Sequence, residues 1–262
     1  MDLNLTGKVA IVTGASKGIG LAVTRALAAE GVSVVAGARN GSAELTALAA
    51  SAAVHPVLLD LTTPEGPGLL VEEAVRTFGG LDVLVNNVGA LKPRLQGFLA
   101  ITDDDWNWTL NINFLSAVRT TRAALPHLLE RTPSTIVTIS SVNAVLPDPG
   151  VLDYSAAKAA LANFSKSLSK EFGPRGVRIN TVSPGPVETA LWLGEHGVAA
   201  TVAEAGNGDA AAVAKQVAAQ SVTGRFTHPE EVADLVLLLA SGRAGNVTGT
   251  DVVIDGGLIT TL

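Results

Sequence analysis

Apolar residues in this chain come in short dense runs separated by longer stretches with helical spacing. The runs "KVAIVTG" (8–14), "VSVVAGA" (32–38), "HPVLLDL" (55–61), "LDVLVNN" (81–87), "STIVTISS" (134–141), "VRINTVSPG" (177–185) and "DVVIDGG" (251–257) are rich in β-branched residues. Runs that do not alternate read as strands of a parallel sheet buried on both faces, since alternation is needed only where one face meets water. Between them, residues 18–31, 42–52, 67–78, 103–130, 152–172 and 229–241 read as helices. Gly31 and Gly173-Pro174 stop two of these, Thr102 with acids at 103–105 opens another, and Pro229 starts the last.

Strands alternating with helices predict an α/β fold: one parallel sheet, mostly seven-stranded, doubly wound with helices on both faces and right-handed crossovers. A single domain over 1–262 is expected, with no repeat. Residues 190–222 break the rhythm. "GVAATVAEAGNGDAAAVAKQVAAQ" offers few bulky side chains to hold a core, and reads as a surface insertion or a mobile lid over a substrate site.

Composition narrows the class. An apolar share of 47% and a charged share of 16% in 262 residues suit one large buried core. Net charge is −6 with scattered bases, which excludes the clustered cations of a nucleic-acid surface. With no cysteine there is no disulfide and no thiolate chemistry, and His55, His127, His196 and His228 lack metal-ligand spacing, so no metal is expected. No uncharged apolar run approaches the roughly 18 residues of a membrane span, and the N-terminus runs straight into a strand; a cytoplasmic protein is the expectation.

"TGASKGIG" (13–20) lies where the first strand meets the first helix. There, free backbone N–H groups and the positive helix end converge, which is where a Rossmann-like domain holds a pyrophosphate. Gly14 permits the turn, Gly18 lets phosphate approach the backbone, and Gly20 allows close helix–strand packing. The spacing is G-x-x-x-G-x-G. An NAD site usually carries an acid at the end of the second strand for the ribose 2′-hydroxyl. Here Arg39 stands there and Lys17 sits in the turn, so NADP(H) is expected in preference to NAD(H). Asp60 would fall near the adenine.

These motifs resemble the classical short-chain dehydrogenase/reductase family, over about residues 5–258. The glycine turn is joined by "NNVG" (86–89, with Val88 for the usual Ala), Asn113 in "NINF", Ser141 thirteen residues before Tyr154 of "YSAAK", "SPGPVET" (183–189) and "GTDVVIDGG". The resemblance implies cofactor contacts from Gly14, Ser16, Lys17, Gly18, Ile19 and Gly20; from Arg39, Asp60 and Leu61; from Asn87 and Gly89; and from Pro184, Gly185, Val187 and Thr189, beside Tyr154 and Lys158. Asn86 is expected to fix its turn. The implied catalytic set is Ser141, Tyr154, Lys158 and Asn113, with Lys158 on the nicotinamide ribose and Asn113 positioning a water. A homotetramer built on the 103–130 and 152–172 helices is also implied.

The chemistry stands beside the resemblance. A free phenol, with a pKa of about 10, is a poor base near neutrality. Lys158, one helical turn from Tyr154, would favour phenolate and lower that value. The tuned phenol then exchanges a proton with a carbonyl or alcohol oxygen, and Ser141 holds that oxygen. Pocket candidates are Leu91, Pro93, Asn143, Leu146, Leu152, Pro186, Leu191 and Trp192, Asn143, Leu146, Pro186 and Trp192 foremost. Most are apolar, so the expected substrate is a small, fairly apolar ketone or a 3-oxoacyl compound. Arg119 and Arg122 are candidates for docking an acyl carrier. The alternatives are a silent NADP(H) sensor on the same fold, and a methyltransferase, against which Arg39 and "YSAAK" speak.

Overall fold

Every residue of strand β1 (Val9–Thr13) is buried, as is every residue of β4 (Val83–Asn86) and β5 (Ser134–Ile139). The computed structural model describes residues 2–261. With β2 (Ser33–Ala38), β3 (Val54–Leu58), β6 (Val177–Pro184) and β7 (Asp251–Ile254), these strands form one parallel sheet in the order β3-β2-β1-β4-β5-β6-β7. Successive side chains alternate between two cores. Ala10 and Val12 pack with Val23 and Leu27 of α1 (Gly18–Ala29) and with Val232 and Val236 of α10 (Pro229–Ala240). Ile11 packs on the opposite face with Leu70 and Ala74 of α3 (Gly66–Phe78) and with Leu125 and Leu128 of α5 (Ser116–Glu130). Burial on both faces is why the strand runs lack alternation.

β1 pairs with both β2 and β4, so the chain winds outward through β3 and returns beside its start. This is the switch point at which open α/β sheets form a crevice beyond the carboxyl ends of their strands.

Two segments differ from the expected elements. Residues 103–130 are not one continuous helix. Helix α4 (Asp103–Leu110) opens on a Thr102–Asp105 capping box, and a π turn (Asn111–Leu115) joins it to α5. There the Ser116 N–H donates to Asn111 O, five residues back, and Asn113 within the turn is fully buried. Single π turns of this kind often mark functional sites.

The Ala- and Gly-rich stretch 190–222 folds into three short helices: α7 (Ala190–Leu193), α8 (Val198–Ala205) and α9 (Ala210–Ala218). Alanine's helix propensity accounts for them. Their anchorage is slight, for α8 buries only Ala199 and Ala203 and α9 buries nothing. The remaining helices are α2 (Ala43–Ser51) and α6 (Leu152–Phe172). Among the described residues, no helix is long and apolar enough to cross a membrane.

Candidate active site

A cavity of about 860 Å³ opens beyond the carboxyl ends of the strands, between the glycine turn and helices α6, α7 and α9. Gly14 (φ +67°) and Gly18 (φ +53°) adopt the left-handed conformation that favours glycine. Lys17, the N-cap of α1, makes no side-chain capping bond, and the first turn holds no acid. The orphan N–H groups there can therefore serve an anion. Gly20 does not line the cavity. A Cβ at this position would lie 2.2 Å from Gly14 O, so Gly20 keeps turn and helix in contact rather than touching a ligand. Asn87 latches the turn, its Nδ2 donating to Thr13 O (2.8 Å), and also lines the cavity. Asn86, expected to fix the turn, instead donates to Thr121 Oγ1 of α5 at 3.0 Å.

At the far end, Lys17 and Arg39 lie exposed on the cavity wall beside Asn40, Gly41 and Ser42. Asp60 and Leu61 line the same end. Bonds from the Thr62 N–H and hydroxyl hold the Asp60 carboxyl below its ordinary range, with a smaller contribution from the Arg39 charge. The combination of an uncapped helix terminus, glycines at which any side chain would crowd the turn, and two wall cations fits a phosphorylated dinucleotide.

The reacting end is built from β5 and α6. Ser141 lies two residues past the end of β5; its Oγ accepts from Asn143 N and donates to Asn143 Oδ1, both at 3.2 Å. Tyr154 and Lys158 are one turn apart on α6 and both buried, with the ammonium 5.6 Å from the ring centroid. Lys158 Nζ donates to Ile139 O at 2.9 Å. The electrostatics depart from expectation. Burial pushes the Tyr154 phenol up to about 12, opposed only by hydrogen bonding from Ser141, and pushes Lys158 down to about 8. Desolvation outweighs the expected pull of the ammonium.

Asn113 lies behind the wall. Its Nδ2 donates to Ala90 O (2.8 Å) and Thr109 O (3.0 Å), and its Oδ1 accepts from Ala90 N (3.0 Å). Its side chain is thus committed to backbone and reaches Lys158 only across Gly89. A Cβ on Gly89 would stand 3.1 Å from Asn113 Oδ1 and 3.4 Å from Lys158 Nζ, so a side chain there would press on Asn113.

The segment 184–189 closes the cavity from β6. Gly185 N donates to Ile254 O, and Pro186 and Glu188 exchange backbone bonds with Thr227, each at 2.9 Å. Val187 and Thr189 line the cavity, Thr189 standing over Gly18. Ser16, Ile19, Pro184, Asn143, Leu146, Pro186 and Trp192 also line it, as do Leu91 and Leu191, whereas Pro93 and Leu152 do not. Pro147, Asp148, Pro149, Val217 and Gln220 were not foreseen; the last two come from the helical insertion, whose weak pattern carried no signal of where it folds. Arg119 donates to Asn111 Oδ1 (2.6 Å) and Thr62 O (3.2 Å), which leaves Arg122 as the exposed cation of the two docking candidates.

Known proteins resemble this chain over nearly its whole length. A family model described as enoyl-(acyl carrier protein) reductase matches residues 14–259. The 3-oxoacyl-(acyl-carrier-protein) reductase FabG of Thermotoga maritima is 34% identical over 265 aligned residues, covering 98% of this chain and 100% of its own. The Escherichia coli FabG is 33% identical over 258, covering 98% and 99%. A crystal structure of L-sorbose reductase from Gluconobacter frateurii, complexed with NADPH and L-sorbose, superposes with a TM-score of 0.91 at 34% identity over the whole of both chains.

Proposed function

The chain belongs to the short-chain dehydrogenase/reductase family and is an oxidoreductase of carbonyl and alcohol substrates, and from that premise we propose that it is an NADPH-dependent ketoreductase of a small, neutral molecule. The observation that carries this reading is the convergence of Ser141, Tyr154 and Lys158 on the cavity that the glycine turn opens. When bound, the nicotinamide supplies the hydride. Ser141 holds the carbonyl oxygen, and the Tyr154 O–H donates its proton as that oxygen gains charge. A phenol held up at about 12 is protonated at neutral pH, which suits the reductive direction. With a pKa of about 8, Lys158 is roughly nine-tenths charged at pH 7 and stabilises the phenolate left behind.

Preference for NADPH over NADH rests on Lys17 and Arg39 at the end where the 2′-phosphate would lie, and is supported by the NADPH bound in the sorbose reductase. The substrate end is walled by Leu91, Leu146, Pro147, Pro186, Leu191 and Trp192, with Asn143, Asp148 and Gln220 as polar contacts. This favours a free ketone over a carrier-bound one, since Arg119 is already engaged and of the two docking candidates Arg122 alone stands exposed. The insertion 190–222 acts as a lid, and a cytoplasmic homotetramer completes the proposal. The test is loss of NADPH absorbance against aliphatic ketones, ketoses and 3-oxoacyl thioesters, repeated with NADH. Tight NADPH binding without turnover of any of them would favour a sensor instead.

A further inference from the structure

The loop after β4 holds an arginine that the sequence motifs do not single out. Arg94 is nearly buried, its side chain 10% exposed, and its guanidinium spans two carboxylates. Nε and Nη2 donate to Asp153 Oδ2, and Nη1 donates to Asp105 Oδ1 at 2.8 Å. Its backbone N–H donates to Gly150 O at 2.7 Å, which fastens the loop carrying Leu91 to the opposite cavity wall. Asp153, with a side chain 2% exposed, immediately precedes Tyr154. Its Oδ1 accepts from the Tyr154 N–H (3.0 Å) and its Oδ2 from Thr109 Oγ1 (2.6 Å). Thr109 O in turn accepts from Asn113 Nδ2. The N-cap of α6, Val151, offers no side-chain acceptor, so Asp153 is the acidic group that serves this first turn.

We infer that Arg94 is a positioning residue: through Asp153 and Thr109 it fixes the first turn of α6, and hence the Tyr154 phenol, against the π turn that carries Asn113. A lone carboxylate buried here would shed its charge, because burial pushes Asp153 upward and the Arg94 bond is the strongest influence holding it down. The charged and titratable groups around Asp153 are Arg94 from the loop, Asp105 of α4 on the far side of that guanidinium, and Tyr154 and Lys158 on its own helix. Lysine cannot replace Arg94 fully, since one ammonium does not span both acids as the planar fork does.

The inference rests on the ketoreductase reading, and wild-type turnover tests that reading first. Arg94→Met and Arg94→Lys are then compared with an active wild type for NADPH affinity, by nicotinamide fluorescence, and for kcat against pH. Arg94→Met should bind NADPH within about twofold of wild type yet lose about tenfold or more in kcat. Its acid limb should move up by about one pH unit or more, as Asp153 protonates and loosens its hold on Tyr154 and Thr109. Arg94→Lys should recover most of that loss, remaining several-fold below wild type. A wild-type kcat and acid limb in Arg94→Met, with only a lowered melting temperature, would overturn the inference, as would a parallel loss of NADPH affinity. Should Arg94→Met not fold, wild-type kcat in Arg94→Lys would overturn it alone.

Discussion

Replacing Lys158 by methionine should make the ligand-free protein more stable while ending its activity. Lys158 is 3% exposed, and among the described residues its ammonium is paired with no carboxylate and donates to Ile139 O alone. Burial lowers its pKa from 10.5 to about 8. At about 1.36 kcal/mol per unit, the charged side chain therefore costs the fold about 3 kcal/mol at neutral pH. Methionine keeps the apolar stem and removes the charge, but leaves Ile139 O without its donor, a loss of about 1 kcal/mol. The net gain is about 2 kcal/mol, or a melting temperature higher by about 4–8 °C for a chain of this size. The pH dependence identifies the cause. Below pH 8 the folded and unfolded chains both carry the proton, and the full penalty applies. Between about 8 and 10.5 only the unfolded chain holds it, so wild-type stability climbs with pH and the advantage of the variant shrinks. Thermal melts of both ligand-free proteins at pH 7 and pH 10, with turnover measured alongside, provide the assay. A variant no more stable at pH 7, or one equally ahead at pH 10, would refute the reasoning.

Tyr154→Phe should lower kcat by about a hundredfold or more while NADPH still binds, since only the proton donor is lost; weakened binding in parallel would point to a structural role. Gly20→Ala puts a methyl 2.2 Å from Gly14 O and must displace the turn, so NADPH affinity should fall about tenfold in a fluorescence titration, with kcat at saturation less affected. Arg39→Ala should cut the NADPH-to-NADH ratio of kcat/KM by about 10- to 100-fold, the worth of a charge-assisted contact; an unchanged ratio would remove the basis for the proposed preference.

The sheet could be read from the sequence because a strand buried on both faces must be apolar almost throughout, and "KVAIVTG" and "STIVTISS" have no other stable home. The glycine turn could be read because left-handed backbone and close approach leave glycine little competition. Residues 103–130 misled for a related reason: the apolar spacing on either side of a π turn is still helical, and one added residue per turn leaves little trace in the pattern. The insertion misled because alanine and glycine carry no facing preference strong enough to say that Val217 and Gln220 return to the cavity. The departure of Tyr154 and Lys158 from their expected titration was illegible for another reason: spacing shows that two groups are near, whereas the depth of burial decides which influence dominates.

Arg94 shows the limit most clearly, because its partner lies 59 residues away in sequence. The contact also bears on the chemistry. The first two turns of α6 bury two charges of opposite sign, Asp153 before Tyr154 in the sequence and Lys158 after it. Without Arg94, Asp153 would take up a proton more readily and loosen its hold on Tyr154 and Thr109, and wherever it stayed charged its field would oppose that of Lys158 and disfavour the phenolate that proton transfer produces. By matching Asp153 with a guanidinium, the fold leaves the ammonium as the uncompensated charge beside the phenol. The same helix therefore carries one buried charge that is paired, which stabilises its first turn, and one that is not. The cost implied by the lowered pKa of Lys158 is that of burying its charge beside the phenol, where that charge favours the phenolate left when Tyr154 releases its proton.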